Sequence, residues 1–250
     1  MIDTPIIELS KIDFAYSGNE TKVLDQLNLK IFSKDRIGMM APNGSGKTTL
    51  LHTIMGLCRP DSGSIRIFGD LIEKESDFIS VRSKIGLLFQ DSDDQLFCPT
   101  VLDDVAFGPL NLGYSRNEAI KTAHNTLEKL GIEHLQDRIT HRMSGGQKRL
   151  IALASVLAMK PEVLLLDEPT AGLDDKVKDK LIHILNTLDI SYFVISHEFN
   201  FIKAVTDKIY SMEHGRILTD EQIHIHQHEH VHRYGRHAPA VGPLRSATRC

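Results

Sequence analysis

An α/β fold, a mixed sheet with an α-helical lobe inserted into it, is the class that this 250-residue sequence predicts. Three observations carry it. A glycine-rich loop, Ala41-Pro-Asn-Gly-Ser-Gly-Lys-Thr48, separates a strand-like run from a helix-like one. Two short apolar runs, residues 163–167 and 192–196, have the length and continuity of strands buried on both faces. Between loop and runs, residues 91–160 lose the β character and place apolar residues at helical spacing.

In chain order, residues 6–16, 23–32 and 36–40 read as strands, parted by the turn signals Ser17-Gly18-Asn19 and Ser33-Lys34-Asp35. The glycine-rich loop runs into an apolar helix over 48–55, and Pro60-Asp61-Ser62-Gly63 turns the chain into a short strand at 64–68. A further apolar strand covers 85–89. Residues 116–130 and 146–159 predict helices, with Ser115 and Ser144 placed to cap them, and strands return at 163–167 and 192–196. This divides the chain into an α/β core over 1–90 and 161–220, a helical lobe over 91–160, and a histidine-rich tail over 221–250 without a periodic apolar face, expected to be disordered.

Composition removes several classes of function. With 41% hydrophobic residues the chain can build a sizeable core, so disorder throughout is excluded. Its 29 Lys and Arg against 33 Asp and Glu leave no basic field for a phosphate backbone, so no nucleic-acid partner is expected. The most apolar windows, 150–159 and 163–166, fall short of the roughly 20 residues that cross a bilayer. Met-Ile-Asp-Thr-Pro at the start has neither a basic nor an apolar signal region, which predicts a cytosolic location. Cys58, Cys98 and Cys250 form no CxxC pair, so reduced thiols are expected.

The loop fits the P-loop pattern, with Ala41 where the usual motif has its first glycine. The backbone N–H groups of Asn43, Gly44, Ser45, Gly46, Lys47, Thr48 and Thr49, with a helix N-terminus behind them, form a cradle suited to a triphosphate. Lys47 would reach the β- and γ-phosphates and the Thr48 hydroxyl would ligate Mg²⁺. The Ala41 Cβ limits positive φ there. Val163-Leu-Leu-Leu-Asp-Glu-Pro-Thr170 ends a buried strand with two acids. Asp167 suits Mg²⁺, and Glu168, directed to the other side, can polarise an attacking water.

Between these motifs stands Met143-Ser-Gly-Gly-Gln-Lys-Arg149. In this order the motifs resemble the nucleotide-binding subunit of ATP-binding-cassette (ABC) proteins, a likeness covering nearly all of residues 5–217. It implies an ABC-type P-loop NTPase core that hydrolyses ATP with Mg²⁺. It also implies that Ser144, Gly145 and Gly146 bind the γ-phosphate held by a second ATPase chain, identical or a paralogue, in a head-to-tail dimer. Gln90 resembles the glutamine that contacts Mg²⁺ and water, His197 the histidine that contacts the γ-phosphate, and Tyr16 the aromatic that stacks on adenine. Ala171-Gly-Leu-Asp174 resembles the loop that reports between the two sites. The resemblance makes Lys47, Gln90, Glu168 and His197 catalytic, and Thr48, Gln90 and Asp167 the Mg²⁺ set. Met143 and Asp175 depart from the family's usual leucine and proline, and neither change removes a reactive group.

Residues 91–113, Asp-Ser-Asp-Asp-Gln-Leu-Phe-Cys-Pro-Thr-Val-Leu-Asp-Asp-Val-Ala-Phe-Gly-Pro-Leu-Asn-Leu-Gly, resemble the energy-coupling-factor branch, importers of transition metals and vitamins. That implies integral-membrane transporter subunits as partners and a peripheral position on the cytoplasmic face of the membrane. In the tail, His224, His226, His228, His230 and His232 alternate with other residues, so in an extended chain their imidazoles share one face roughly 6.6 Å apart, a pattern that suits Ni²⁺, Co²⁺, Cu²⁺ or Zn²⁺. Import of nickel or cobalt is the reading preferred. A vitamin importer of the same type and a soluble ABC ATPase remain alternatives.

Overall fold

The computed structural model describes residues 4–18 and 21–218. Strands β1 (Ile7–Phe14), β2 (Leu24–Ile31), β3 (Arg36–Met40), β4 (Ser62–Ile67), β5 (Asp70–Ile72), β6 (Ile85–Leu88), β7 (Val163–Asp167), β8 (Ser191–Ile195), β9 (Lys208–Glu213) and β10 (Arg216–Leu218) form two sheets. The four-stranded sheet, order β2-β1-β4-β5, is antiparallel, with Ile7 opposite both Ile31 and Ile67. The six-stranded sheet, order β10-β9-β3-β8-β7-β6, is parallel except for the hairpin that brings β10 back along β9. The larger sheet is therefore mixed.

The helices are α1 (Lys47–Ile54), α2 (Glu75–Arg82), α3 (Val101–Asn111), α4 (Arg116–Lys129), α5 (Gly145–Ala158), α6 (Asp175–Thr187) and α7 (Phe199–Val205). Ser115 and Ser144 cap α4 and α5 as their positions predict: each hydroxyl accepts the N–H three residues on, and Glu118 and Gln147 return the bond. α3 forms despite Gly108 and Pro109 near its C-terminal end, because Thr100 caps it and Val101, Val105 and Ala106 are buried.

The pleat of the larger sheet sorts its residues into two cores. Ile37, Met39, Leu87, Val163, Leu165, Phe193 and Ile195 face the antiparallel sheet and α1. Leu88, Leu164, Leu166, Tyr192 and Val194 face the other way, onto α5, α6 and α7, in a core continuous with Val105, Ala119, Ala123 and Leu127 of the helical lobe. The helices of residues 101–158 thus share one core with the sheet. Contact is close: a Cβ at Gly86 would sit 2.3 Å from the Val156 side chain, so β6 needs glycine where α5 lies on it.

Candidate active site

The parallel strands β3, β7 and β8 end side by side, and each delivers its next residues to one place. After β3, the P-loop turns with Gly44 at φ 78° and Gly46 at φ 99°, the second being the N-cap of α1. A Cβ on Gly46 would come 2.7 Å from the Val23 carbonyl oxygen, so both backbone angle and space demand glycine there. Ala41 is not among the residues with positive φ, so alanine fits this loop without backbone cost. The buried Lys47 ammonium donates to the carbonyls of Ala41 and Pro42, each at 2.8 Å, and so stands inside the loop.

The two acids at the end of β7 point at different partners. Asp167 Oδ2 accepts from the Thr48 hydroxyl at 2.7 Å. Its other oxygen, Oδ1, is buried with no hydrogen-bond partner. Burial pushes the Asp167 carboxyl above the ordinary carboxylate range against the bond from Thr48, and the neighbouring charge of Glu168 pushes the same way. A buried acid with an unused oxygen, beside a threonine hydroxyl, is a set of hard oxygen donors, and it fits Mg²⁺. Glu168 is held at φ 44° with its N–H on the Ile195 carbonyl at 2.9 Å. Its Oε2 lies 2.9 Å from His197 Nδ1 and accepts the His197 backbone N–H at 3.3 Å. The His197 side chain itself is 67% exposed.

Tyr16, Asn43, Gly44, Gly46, Lys47, Thr48, Thr49, Gln90, Asp167, Glu168 and His197 line one cleft. β1 ends at Phe14, earlier than the apolar run to Tyr16 predicts, because Asp61 takes the Ala15 N–H. The Phe14 and Tyr16 rings touch edge-to-face at 4.9 Å, yet Phe14 is buried whereas Tyr16 is 45% exposed with its hydroxyl 3.0 Å from Thr49 Oγ1. Ser45 lies in the same loop, its hydroxyl buried without a partner. Gly145 lines an adjoining cleft with Thr48, Gln90 and Asp167, but Ser144 and Gly146 line neither. Ser144 is exposed, and a Cβ at Gly145 would meet nothing within 4 Å, so the tip of α5 presents open backbone. Asp174 accepts the Val177 N–H at 3.0 Å and caps α6, leaving Asp175 at the first helical position, where proline is also tolerated.

Sequence reasoning missed Arg149. Nearly fully buried at 4% exposure, it donates to the Phe89 carbonyl at 2.5 Å and to the Gln90 carbonyl. Burial lowers its pKa, which the charges of Asp91 and Asp167 oppose. Lys148, its neighbour, pairs with Asp93 at 2.6 Å. An arginine within the apolar run of α5 was the available signal. The tail histidines His224, His226, His228, His230 and His232 lie outside the described residues, and among the described residues no cluster of three or more His, Cys, Asp or Glu is arranged to hold a metal.

A parallel sheet with a P-loop after one strand and an Asp-Glu pair after another, facing a common cleft, defines a P-loop nucleoside-triphosphate hydrolase. The chain belongs to the ABC transporter family, whose domain matches residues 24–171, and is an ATPase of the energy-coupling-factor type. It is 46% identical over 231 residues to a putative ABC transporter ATP-binding protein of Brucella suis, covering 89% of this chain and 95% of that one. It is 41% identical to the cobalt import ATP-binding protein CbiO of Rhodobacter capsulatus, over 87% of this chain and 79% of that one. Among solved structures, CbiO1 of Clostridium perfringens, part of the ABC transporter complex CbiONQ, superposes with a TM-score of 0.75 at 35% identity, over 86% of this chain and 87% of that one.

Proposed function

We propose that this chain powers an energy-coupling-factor importer of cobalt or nickel, hydrolysing ATP between two ATPase chains. The observation that carries the hydrolytic reading is the pairing at the strand ends: Thr48 with Asp167, whose Oδ1 is free, and Glu168 with His197, in one cleft behind the P-loop. Thr48, Asp167 and Gln90 would hold Mg²⁺, which when bound neutralises charge developing on the phosphates. Lys47 and the loop N–H groups bind the phosphate chain, Tyr16 offers its ring face to the base, and Glu168 accepts a proton from the attacking water while His197 fixes its carboxylate. Ser144 and Gly145, displayed at the open tip of α5, and Gly146, which lies against Val177, complete the partner chain's site.

Residues 91–160 form the lobe that meets the membrane subunits. Phe97 and Phe107, 64% and 41% exposed and edge-to-face at 4.7 Å, rim an apolar groove beside Gln95 that suits an amphipathic helix of an integral-membrane partner. No helix among the described residues is long and apolar enough to cross a membrane. Bound to its membrane subunits, the chain would work from the cytoplasmic face. Cobalt is favoured by the CbiO relatives, and both ions suit the imidazoles of the tail.

The test is ATP hydrolysis by the complex reconstituted with its membrane subunits, with Co²⁺, Ni²⁺ or a vitamin supplied on the import side. Stimulation by a metal ion supports the reading, and stimulation by a vitamin alone overturns it. In parallel, Co²⁺ or Ni²⁺ titrated into the chain at pH 7.5 should bind, with the binding lost on deletion of residues 222–250 and weakened near pH 5.5, where imidazole protonates. Binding that survives the deletion would exclude the histidines as ligands.

A further inference from the structure

We infer that Arg149 is a positioning residue for Gln90, fixing the direction in which the Gln90 side chain leaves its loop. The inference rests on the reading of Gln90 as a group that faces Mg²⁺ and water.

The geometry is specific. Gln90 lies in the loop after β6, outside any strand or helix, so no sheet hydrogen bonds fix it. Its Cα is flanked by two peptide planes, one carrying the Phe89 carbonyl and the other the Gln90 carbonyl. The Arg149 guanidinium donates through Nη1 to the first at 2.5 Å and through Nη2 to the second. Two fixed planes set the direction of the Cα–Cβ bond between them, and hence where the Gln90 side chain starts. A planar fork can make both bonds at once, whereas a lysine ammonium is a point donor on a flexible stem.

The anchor is equally specific. Arg149 sits in the second turn of α5, the helix whose first residues follow the Ser144 cap. Two further contacts tie the same loop down: Lys148 to Asp93 at 2.6 Å, and Gln95 Oε1 to the Phe89 N–H at 3.2 Å. Of these, only the arginine bonds Gln90 itself. Its Nε is buried without a hydrogen-bond partner.

A double-mutant cycle on the full chain tests this, read as kcat and KM for Mg-ATP. Arg149→Lys should lower kcat by ~10- to 10²-fold, the scale of a misplacement on the order of 1 Å, with KM little changed. Gln90→Ala should lower kcat as well, and the double variant should be no slower than Gln90→Ala, because a residue acting only through Gln90 has nothing left to position. Hydrogen exchange should quicken at residues 89–95 in Arg149→Lys while β7 and β8 stay protected. Losses that multiply in the double variant, an unchanged kcat in Arg149→Lys, or exchange quickened equally in the strands would each overturn the inference and leave the role of Gln90 standing. A fully active Gln90→Ala would instead overturn the reading of Gln90, and this inference with it. Should Arg149→Lys not fold, Arg149→Gln, which keeps a neutral amide donor, carries the same cycle.

Discussion

Replacing Glu168 by glutamine should separate binding from chemistry at this site. The backbone of Glu168 is held by its N–H on the Ile195 carbonyl, independently of the side chain, and glutamine is isosteric with an oxygen that can still accept the His197 N–H. The charge and the basic oxygen are what disappear. Loss of the charge relieves Asp167, whose carboxyl Glu168 helps to push up, so the variant should melt no lower than the parent. Removing a general base costs ~10²- to 10⁴-fold in turnover, or about 2.7–5.4 kcal/mol of transition-state stabilisation. Phosphate release at saturating Mg-ATP, together with a nucleotide titration, reads both quantities: turnover should fall by at least ~10²-fold while nucleotide affinity holds. Turnover within about tenfold of the parent would remove Glu168 from the role of base, and lost nucleotide binding in a folded variant would show that its side chain supports the phosphate cradle instead.

Ser144→Arg should abolish hydrolysis in trans and cost ~1 kcal/mol of stability through the lost cap of α5. Mixing it with Lys47→Ala chains should restore one working site per mixed dimer in a phosphate-release assay, and failure to do so would refute the shared site. Asp167→Asn bears on stability as well as activity. A carboxyl whose folded pKa is raised costs the fold stability when ionised, and that cost shrinks as pH falls below the folded pKa and is gone below the unfolded one. In chelator the variant should therefore melt above the parent at pH 8, with the gap closing on acidification; a lower melting point at pH 8 would refute the argument. Gly46→Ala combines positive φ with a 2.7 Å approach to the Val23 carbonyl, whereas Gly44→Ala, also at positive φ, meets nothing within 4 Å. Denaturant curves should show the first losing more than the ~1–2 kcal/mol of left-handed strain common to both, and equal losses would mean that the Val23 contact relaxes freely.

The sequence was most readable where chemistry is contiguous. The P-loop, the Asp-Glu strand end and the Ser144 cap each lie within one short segment, where local backbone geometry decides the outcome and residue spacing reports it. Several elements were less visible for identifiable reasons. α3 contains Gly108 and Pro109, which argue against a helix locally and are outweighed by the burial of Val101 and Val105. α7 runs only from Phe199 to Val205, too short to show a period. α6, by contrast, carries Leu181, Ile184 and Leu185 at helical spacing and was legible in the sequence.

By itself, then, the sequence determined the phosphate cradle, the pair of acids, the helix cap and the alternation of buried strands, because each depends on neighbours a few residues apart. Tertiary structure alone decided that β1 pairs with β2 and β4 in a separate antiparallel sheet while β3 joins β8 and β9, since alternation says which face of a strand is buried and not which strand lies beside it. It alone turned Asp167 toward Thr48 and Glu168 toward His197, side chains brought together by the packing of parallel strands. It also placed a buried arginine of α5 against the carbonyls beside Gln90, across some sixty residues of chain, a separation over which only the shared core of lobe and sheet can hold two groups in register.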